Sequence, residues 1–255
     1  FVNSPICCPS RSTILTGKYA HNTGVVNNSI DGNCSSESWQ KYHEPFSVAA
    51  LLKNEKDYVT FYAGKYLNQK HWIVDMPPTH LPANITILDN IQKHRLQSLL
   101  AVDEMMEKVV KKLEQLNLLE NTYILFTSDN GFHIGQFTQP WDKRQPYDTD
   151  IRVPLFVSGP NIPRKNVESY PVSSVDLAPT ILDLAGVNIP QYMDGKSFKK
   201  VLFSTNQAIF KKHLFVEYWG EGQKATVDTS CPWSYDGNVA VSPSCTSKTT
   251  PTRTK

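Results

Sequence analysis

A chain of 255 residues, 40% apolar and 20% charged, is long enough for one large α/β domain with a sizeable core. Its formal net charge of +2 does not point to nucleic acid or to an anionic membrane surface. No apolar run reaches the length of a bilayer span, so no membrane span is expected.

The sequence opens on Phe1 with no charged and apolar leader, and is read as part of a longer protein. The first chemistry lies in Cys7-Cys8-Pro9-Ser10-Arg11. Pro9 suits the first turn of a helix, residues 10–16 carry it forward, and Gly17 stops it. Cys7 and Cys8 then sit at the positive end of the helix dipole, with Arg11 one turn beyond Cys7. Such a setting is prepared for an anion. A structural cysteine pair or an ordinary catalytic thiol are the plainer readings. Zinc would need a Cys-x-x-Cys or similar partner, which the spacing does not offer.

Residues 25–39 are polar and turn-rich around Asp31-Gly32-Asn33. Residues 46–53 read as a short amphipathic helix and residues 58–63 as a strand. Lys65, in Gly64-Lys65-Tyr66, then falls at a strand's carboxyl end, where open α/β sheets place ligands. Residues 69–86, with Pro77, Pro78 and Pro82, are expected to be loop. The longest helix is predicted over 88–116, a scaffold with helical apolar spacing. Residues 122–127 read as a buried parallel strand ending in Ser128-Asp129-Asn130-Gly131. That ending suits a hard cation, or is a simple β-turn. A second buried strand is predicted over 153–157, a helix over 175–185 capped by Gly186, and a strand over 213–218. Residues 246–255 read as disordered.

Of the five cysteines, Cys231 and Cys245 bracket a loop and are the disulfide candidate, while Cys34 has no evident partner. Sequons at Asn27, Asn33 and Asn84 are glycosylation candidates and permit a secretory route.

Five spaced motifs, in order, resemble the sulfatase family. They are Cys7-Cys8-Pro9-Ser10-Arg11 leading to Thr16-Gly17; Gly64-Lys65; Asp129-Asn130-Gly131; Lys143 with Tyr147, Asp148, Arg152 and Pro154; and the run 175–183. The resemblance implies an α/β, alkaline-phosphatase-like fold, with a mainly parallel central sheet flanked by helices. Residues 1–203 would form the catalytic domain, residues 204–245 the start of a C-terminal subdomain, and residues 246–255 a tail. It also implies an enzyme, a sulfuric ester hydrolase, in which a formylglycine-generating enzyme oxidises Cys7 to formylglycine (3-oxoalanine). The hydrated aldehyde is then the nucleophile. Arg11 would hold it, and Lys65 and Lys143 would neutralise sulfate oxygens. Ca2+ would be held by Asp129 and Asn130 with the group at Cys7. His133 would contact substrate or leaving group, beside the plainer reading of an incidental loop histidine.

Several stretches, among them 15–28, 63–68, 129–137 and 142–145, resemble members acting on the 6-O-sulfate of N-acetylglucosamine units in heparan and keratan sulfate. A lysosomal location follows, with the extracellular heparan 6-endosulfatases as the second choice. The family also brings two adjacent aspartates from a strand before the cysteine motif, and a histidine after the Gly-Lys pair. Here Leu67-Asn68-Gln69 runs straight into Lys70, and neither His71 nor His80 matches that histidine's context. The sheet and site are therefore expected to be incomplete and the chain a poor enzyme. A non-catalytic glycan-binding relative, and a phosphoester or phosphonate hydrolase, are the competing readings.

Overall fold

The computed structural model describes residues 1–30, 32–68, 85–139, 141–203 and 213–220. Helix α1 (Cys7–Thr16) starts from extended Ile6 and stops at Gly17, whose φ of 66° a side chain would strain. The Gly17 carbonyl then accepts the N–H groups of Asp194 and Gly195, at 2.9 and 3.0 Å. Three short helices follow: α2 (Ala20–Thr23), α3 (Glu37–Tyr42) and α4 (Val48–Lys56). The Ser36 hydroxyl caps α3 by accepting the Trp39 N–H.

Helix α5 (Ile85–Gln115) runs for 31 residues and has no buried residue. Strands β1 (Ile124–Thr127) and β2 (Leu155–Ser158) flank the short helix α6 (Asp148–Ile151) in sequence. Helix α7 (Leu177–Leu184) follows a single 3-10 turn, and α8 (Lys199–Phe203) is the last described helix. Helix α1 packs against α4 and α7. One apolar cluster gathers Cys8, Val25, Cys34, Trp39 and Leu67; a second gathers Val48, Ala178, Leu182, Val187 and Met193.

Four sequence expectations need correction. The strands pair antiparallel, Ile124 opposite Ser158 and Thr127 opposite Leu155, and are only half-buried. Along β2 the burial alternates, with Phe156 67% exposed, as for a sheet with one covered face. Residues 58–63 form no strand; α4 ends in a left-handed Asp57 and the chain leaves with Val59 and Phe61 exposed. Among the described residues, the alternation there has no partner strand to cover it. Residues 213–218 are likewise not a strand, but are tied to the N-terminal segment. Cys34 does have a partner: it forms a disulfide with Cys8, Cα atoms 6.0 Å apart, in a part of the chain where Asn28 also reaches the start of α1. The Cys231–Cys245 pairing, Asn84 and residues 246–255 lie outside the described residues, as do all but 85 and 86 of the expected loop 69–86.

A buried asparagine that the motifs did not mark fixes this scaffold. Asn3 is fully buried, and its Oδ1 accepts from the hydroxyls of Ser173 and Ser174 and from the Val175 N–H. Its Nδ2 donates to the Phe215 carbonyl at 2.6 Å, and its own carbonyl accepts the Glu217 N–H at 2.8 Å. One amide thus joins three stretches distant in sequence, with every polar group satisfied in place of water.

Candidate active site

Cys7 is the first residue of α1, buried, and a free thiol. The adjacent Cys8 is committed to Cys34, and its N–H donates to Asn28 Oδ1 at 2.9 Å. Arg11 reaches back one turn: Nε donates to the Cys7 carbonyl at 3.1 Å and lies 3.2 Å from Asp129 Oδ2. Nη1 donates to the Tyr66 carbonyl at 2.7 Å, and Nη2 to Asn68 Oδ1 at 3.0 Å. The guanidinium fork therefore gathers the cysteine motif, the segment after Gly64-Lys65 and the Asp-Asn pair around one buried cation. Arg11 has carbonyl, amide and carboxylate partners, so its part is to position these three segments.

The Lys65 segment is held by its neighbours. Leu67 is buried against the disulfide and Trp39, and Asn68 N–H lies 3.2 Å from Cys34 Sγ. Tyr66 packs on the same cluster, and burial pushes its phenol up to about 12, with Glu44 adding to the rise. Lys65 itself is exposed, its carbonyl accepting the Tyr62 hydroxyl at 2.9 Å; among the described residues the side-chain amine of neither Lys65 nor Lys143 makes a hydrogen bond or ion pair. Both amines are thus uncommitted.

Asn130 directs Nδ2 to the Gly131 carbonyl at 2.7 Å, which leaves Oδ1 buried with no partner. An orphaned carbonyl oxygen beside a carboxylate suits a hard cation, which takes six to eight oxygens. Asp129 and Asn130 fit as two of those donors. Among the described residues, no group of three or more His, Cys, Asp or Glu side chains gathers as a metal site.

Gly131 is glycine for space. A Cβ there would stand 1.9 Å from the Thr149 carbonyl, because Gly131 and Phe132 N–H donate to Asp150 and Thr149 carbonyls. This close pass delivers His133, 3% exposed, onto Asp150, with Nδ1 at 2.8 and 3.0 Å from the two carboxylate oxygens. Asp150 also accepts the Gln145 N–H at 2.8 Å and the Thr149 hydroxyl at 3.1 Å. Residues 133 and 142 exchange backbone hydrogen bonds, which places Lys143 one residue from this pair. His133 is therefore held as a buried, oriented imidazole. The motif pointed to Asp148, but that acid is exposed and pairs with Arg152; Asp150 is the one that folds inward. Asp150, Asn68 and Asn28 were not singled out in sequence. Their signal is no more than polar residues inside the matching runs.

The model of the family described as sulfatase matches residues 1–95 and 68–187. The chain belongs to the sulfatase family. It is 33% identical over 359 aligned positions to the N-acetylglucosamine-6-sulfatase of Bos taurus, covering 96% of this chain and 64% of that protein. A Caenorhabditis elegans homologue of the extracellular sulfatase Sulf-1 is 31% identical over 84% of this chain and 45% of its own length. This sulfatase chain thus spans less than two thirds of the curated relatives it matches. A solved protein in complex with its substrate D-glucosamine-2-N,6-O-disulfate shares the fold, with TM-score 0.58 and 19% identity. It covers 87% of this chain and 76% of that one. The alkaline-phosphatase-like fold is therefore that of the chain, carried here on a small sheet and its helices.

Among the described residues, no helix is long and apolar enough to cross a membrane.

Proposed function

We propose that this sulfatase chain serves a sulfuric ester hydrolase removing 6-O-sulfate from N-acetylglucosamine units of glycosaminoglycans, with Cys7 matured to formylglycine by a generating enzyme. The observation that carries the reading is the Arg11 fork, which draws Cys7, the Lys65 segment and Asp129 together. Two relatives' names support the substrate class: one is an N-acetylglucosamine-6-sulfatase, and a fold neighbour binds a 6-O-sulfated glucosamine.

A hydrated aldehyde at residue 7 supplies a hydroxyl nucleophile and a way to release sulfate by returning to the carbonyl. Helix α1 places that side chain at its positive end, where an anionic ester is favoured. Arg11 holds the residue-7 carbonyl and keeps Asp129 in place. Lys65 and Lys143 carry uncommitted ammonium groups to set against sulfate oxygens as charge moves onto them. Calcium, held by Asp129 and Asn130 with the residue-7 side chain, would polarise the ester oxygens. His133, fixed through Nδ1 by Asp150, keeps Nε2 to offer the leaving sugar.

The Cys8–Cys34 disulfide fits an oxidising route, and so a lysosomal destination, or an extracellular one. Asn33 Nδ2 already donates to the Thr23 carbonyl, which leaves Asn27 the freer of the two described sequons.

The test is co-expression with a formylglycine-generating enzyme, followed by mass spectrometry of the peptide holding residue 7. The reading expects loss of the thiol at Cys7, an intact Cys8, and calcium-dependent turnover of a 6-sulfated N-acetylglucosaminide. An unmodified Cys7, or modification at Cys8, removes its basis. A converted Cys7 without turnover favours instead a glycan-binding relative.

A further inference from the structure

We propose that Phe137 and Tyr147 form an aromatic platform for the ring face of the hexosamine whose sulfate the candidate site would take. The inference rests on the sulfatase reading above, and names the group that recognises the sugar rather than the sulfate. The two rings stack, with centroids 4.7 Å apart and 27° between their planes. Phe137 is 65% exposed and Tyr147 40%. Among the described residues this is the one stacked pair with both rings exposed. A stack covers the facing sides of two rings and leaves the outer face of the more exposed one, Phe137, to a ligand.

The segments that carry the pair are those that carry the site. Phe137 lies four residues after His133, and Tyr147 four after Lys143. His133 and Asp142 exchange backbone hydrogen bonds at 2.7 and 3.1 Å, which closes the chain between them into a loop. Tyr147 opens the turn around Asp150: its carbonyl accepts the Asp150 N–H at 2.8 Å, and the Asp150 carboxylate holds His133. The platform therefore shares its anchors with the imidazole. Within the loop, Gly135, Phe137 and Thr138 all take left-handed backbone, with φ of 81°, 56° and 59°. For a bulky side chain that conformation is a cost, and a ring seeking only burial has no use for it. Here it keeps an apolar ring over Tyr147 and open to water beside the candidate site.

A hexosamine ring suits this face. Its largely equatorial substituents leave axial C–H groups on both sides of the ring, a flat apolar surface for an aromatic ring to cover, with the hydroxyls at the rim. Free sulfate offers no such surface. The ring is also unchanged as the sulfate ester breaks, so the contact favours ground and transition states alike and acts on binding rather than on the chemical step.

The test is binding to the full chain, followed by NMR titration with methyl 6-O-sulfo-N-acetyl-β-glucosaminide and, separately, with inorganic sulfate. Phe137→Leu should weaken the sugar about three- to tenfold and leave sulfate unchanged. Phe137→Tyr, which keeps the aromatic face, should bind as the unaltered chain does. Circular dichroism checks that both variants fold. Saturation passed from aromatic protons of the protein should fall mainly on the sugar's ring C–H protons, and fade in Phe137→Leu. An equal loss for sugar and sulfate would make Phe137 a support for His133 and overturn the proposal, as would a sugar affinity indifferent to Phe137→Leu. Both outcomes leave the sulfatase reading standing. An unaltered chain that binds neither probe overturns that reading and the platform with it.

Discussion

The two ends of this chain's architecture are held by different forces. Around α1, polar side chains with low exposure make specific bonds between distant segments: Asn3 to 173–175 and 215–217, Arg11 to 66–68 and 129, Cys8 to Cys34. Along α5 and on the outer face of the two-stranded sheet, the described residues leave apolar surface with little laid over it. A site that must fix a nucleophile to a fraction of an ångström uses directional bonds, whose loss is costly because the remaining partner stays buried. A scaffold helix uses area alone, and area without a cover stabilises little.

That contrast can be broken in several places. Arg11→Met should cost the most, about 3–5 kcal/mol, since Asp129 and two carbonyls lose their partner in a site where Arg11 is 8% exposed. Chemical denaturation at neutral pH measures it; a loss below about 1 kcal/mol would mean that water replaces the fork freely. Cys34→Ala should remove about 3 kcal/mol by opening a loop of 26 residues. It should also loosen Asn68, read as faster amide exchange at residues 66–68. Gly131→Ala is expected to cost about 1–3 kcal/mol, because the new Cβ meets the Thr149 carbonyl and pushes His133 off Asp150. An unchanged His133 imidazole resonance in that variant would contradict the account. Leu100→Ala on α5, 65% exposed, should stay within about 0.5 kcal/mol.

The smallest effect concerns acid. Burial, with Lys18 adding its charge, lowers the pKa of His43 below its ordinary 6.5. His43 lies against Trp39, their rings 5.7 Å apart, and its Nδ1 is buried without a partner. The unfolded chain then binds the proton more readily than the folded one. The stabilising difference is fully present above 6.5 and is lost as pH falls through the lowered folded value. His43→Phe should therefore narrow the gap between melting temperatures at pH 7.5 and pH 5. An equal gap in both proteins would assign the acid sensitivity elsewhere.

Much of the wired region was legible, because its signals are local. Pro9 and Gly17 bound α1, and Gly186, with φ of 68°, ends the stretch after α7. The spacing from Cys7 to Arg11 announced their contact, and the periodic run of α5 was placed within a few residues. What escaped depends on distant partners. Nothing near Cys34 in sequence reveals Cys8, and nothing distinguishes Asp150 from Asp148 until Gly131 passes beside one of them. The antiparallel register of β1 and β2 is likewise set by packing, since a continuous apolar run suits either direction. His133 shows the limit well: an ordinary loop histidine by sequence, it becomes an oriented group only through Asp150 and the backbone of Asp142.

On the proposed reading, the burial of residue 7 would also impose an order of events on the life of the chain. In the finished fold Cys7 is 7% exposed, in a helix whose second residue is cross-linked and whose fifth, Arg11, is clamped on both sides. A maturation enzyme that must grip several residues around Cys7 cannot do so once Cys8 has found Cys34. If Cys7 is matured as proposed, conversion and folding would therefore be rivals for the same stretch of nascent polypeptide, and the closing of that small loop would be the deadline. Delaying the closure with a mild reductant in the secretory pathway should raise the fraction converted, and adding the enzyme to folded protein should convert none.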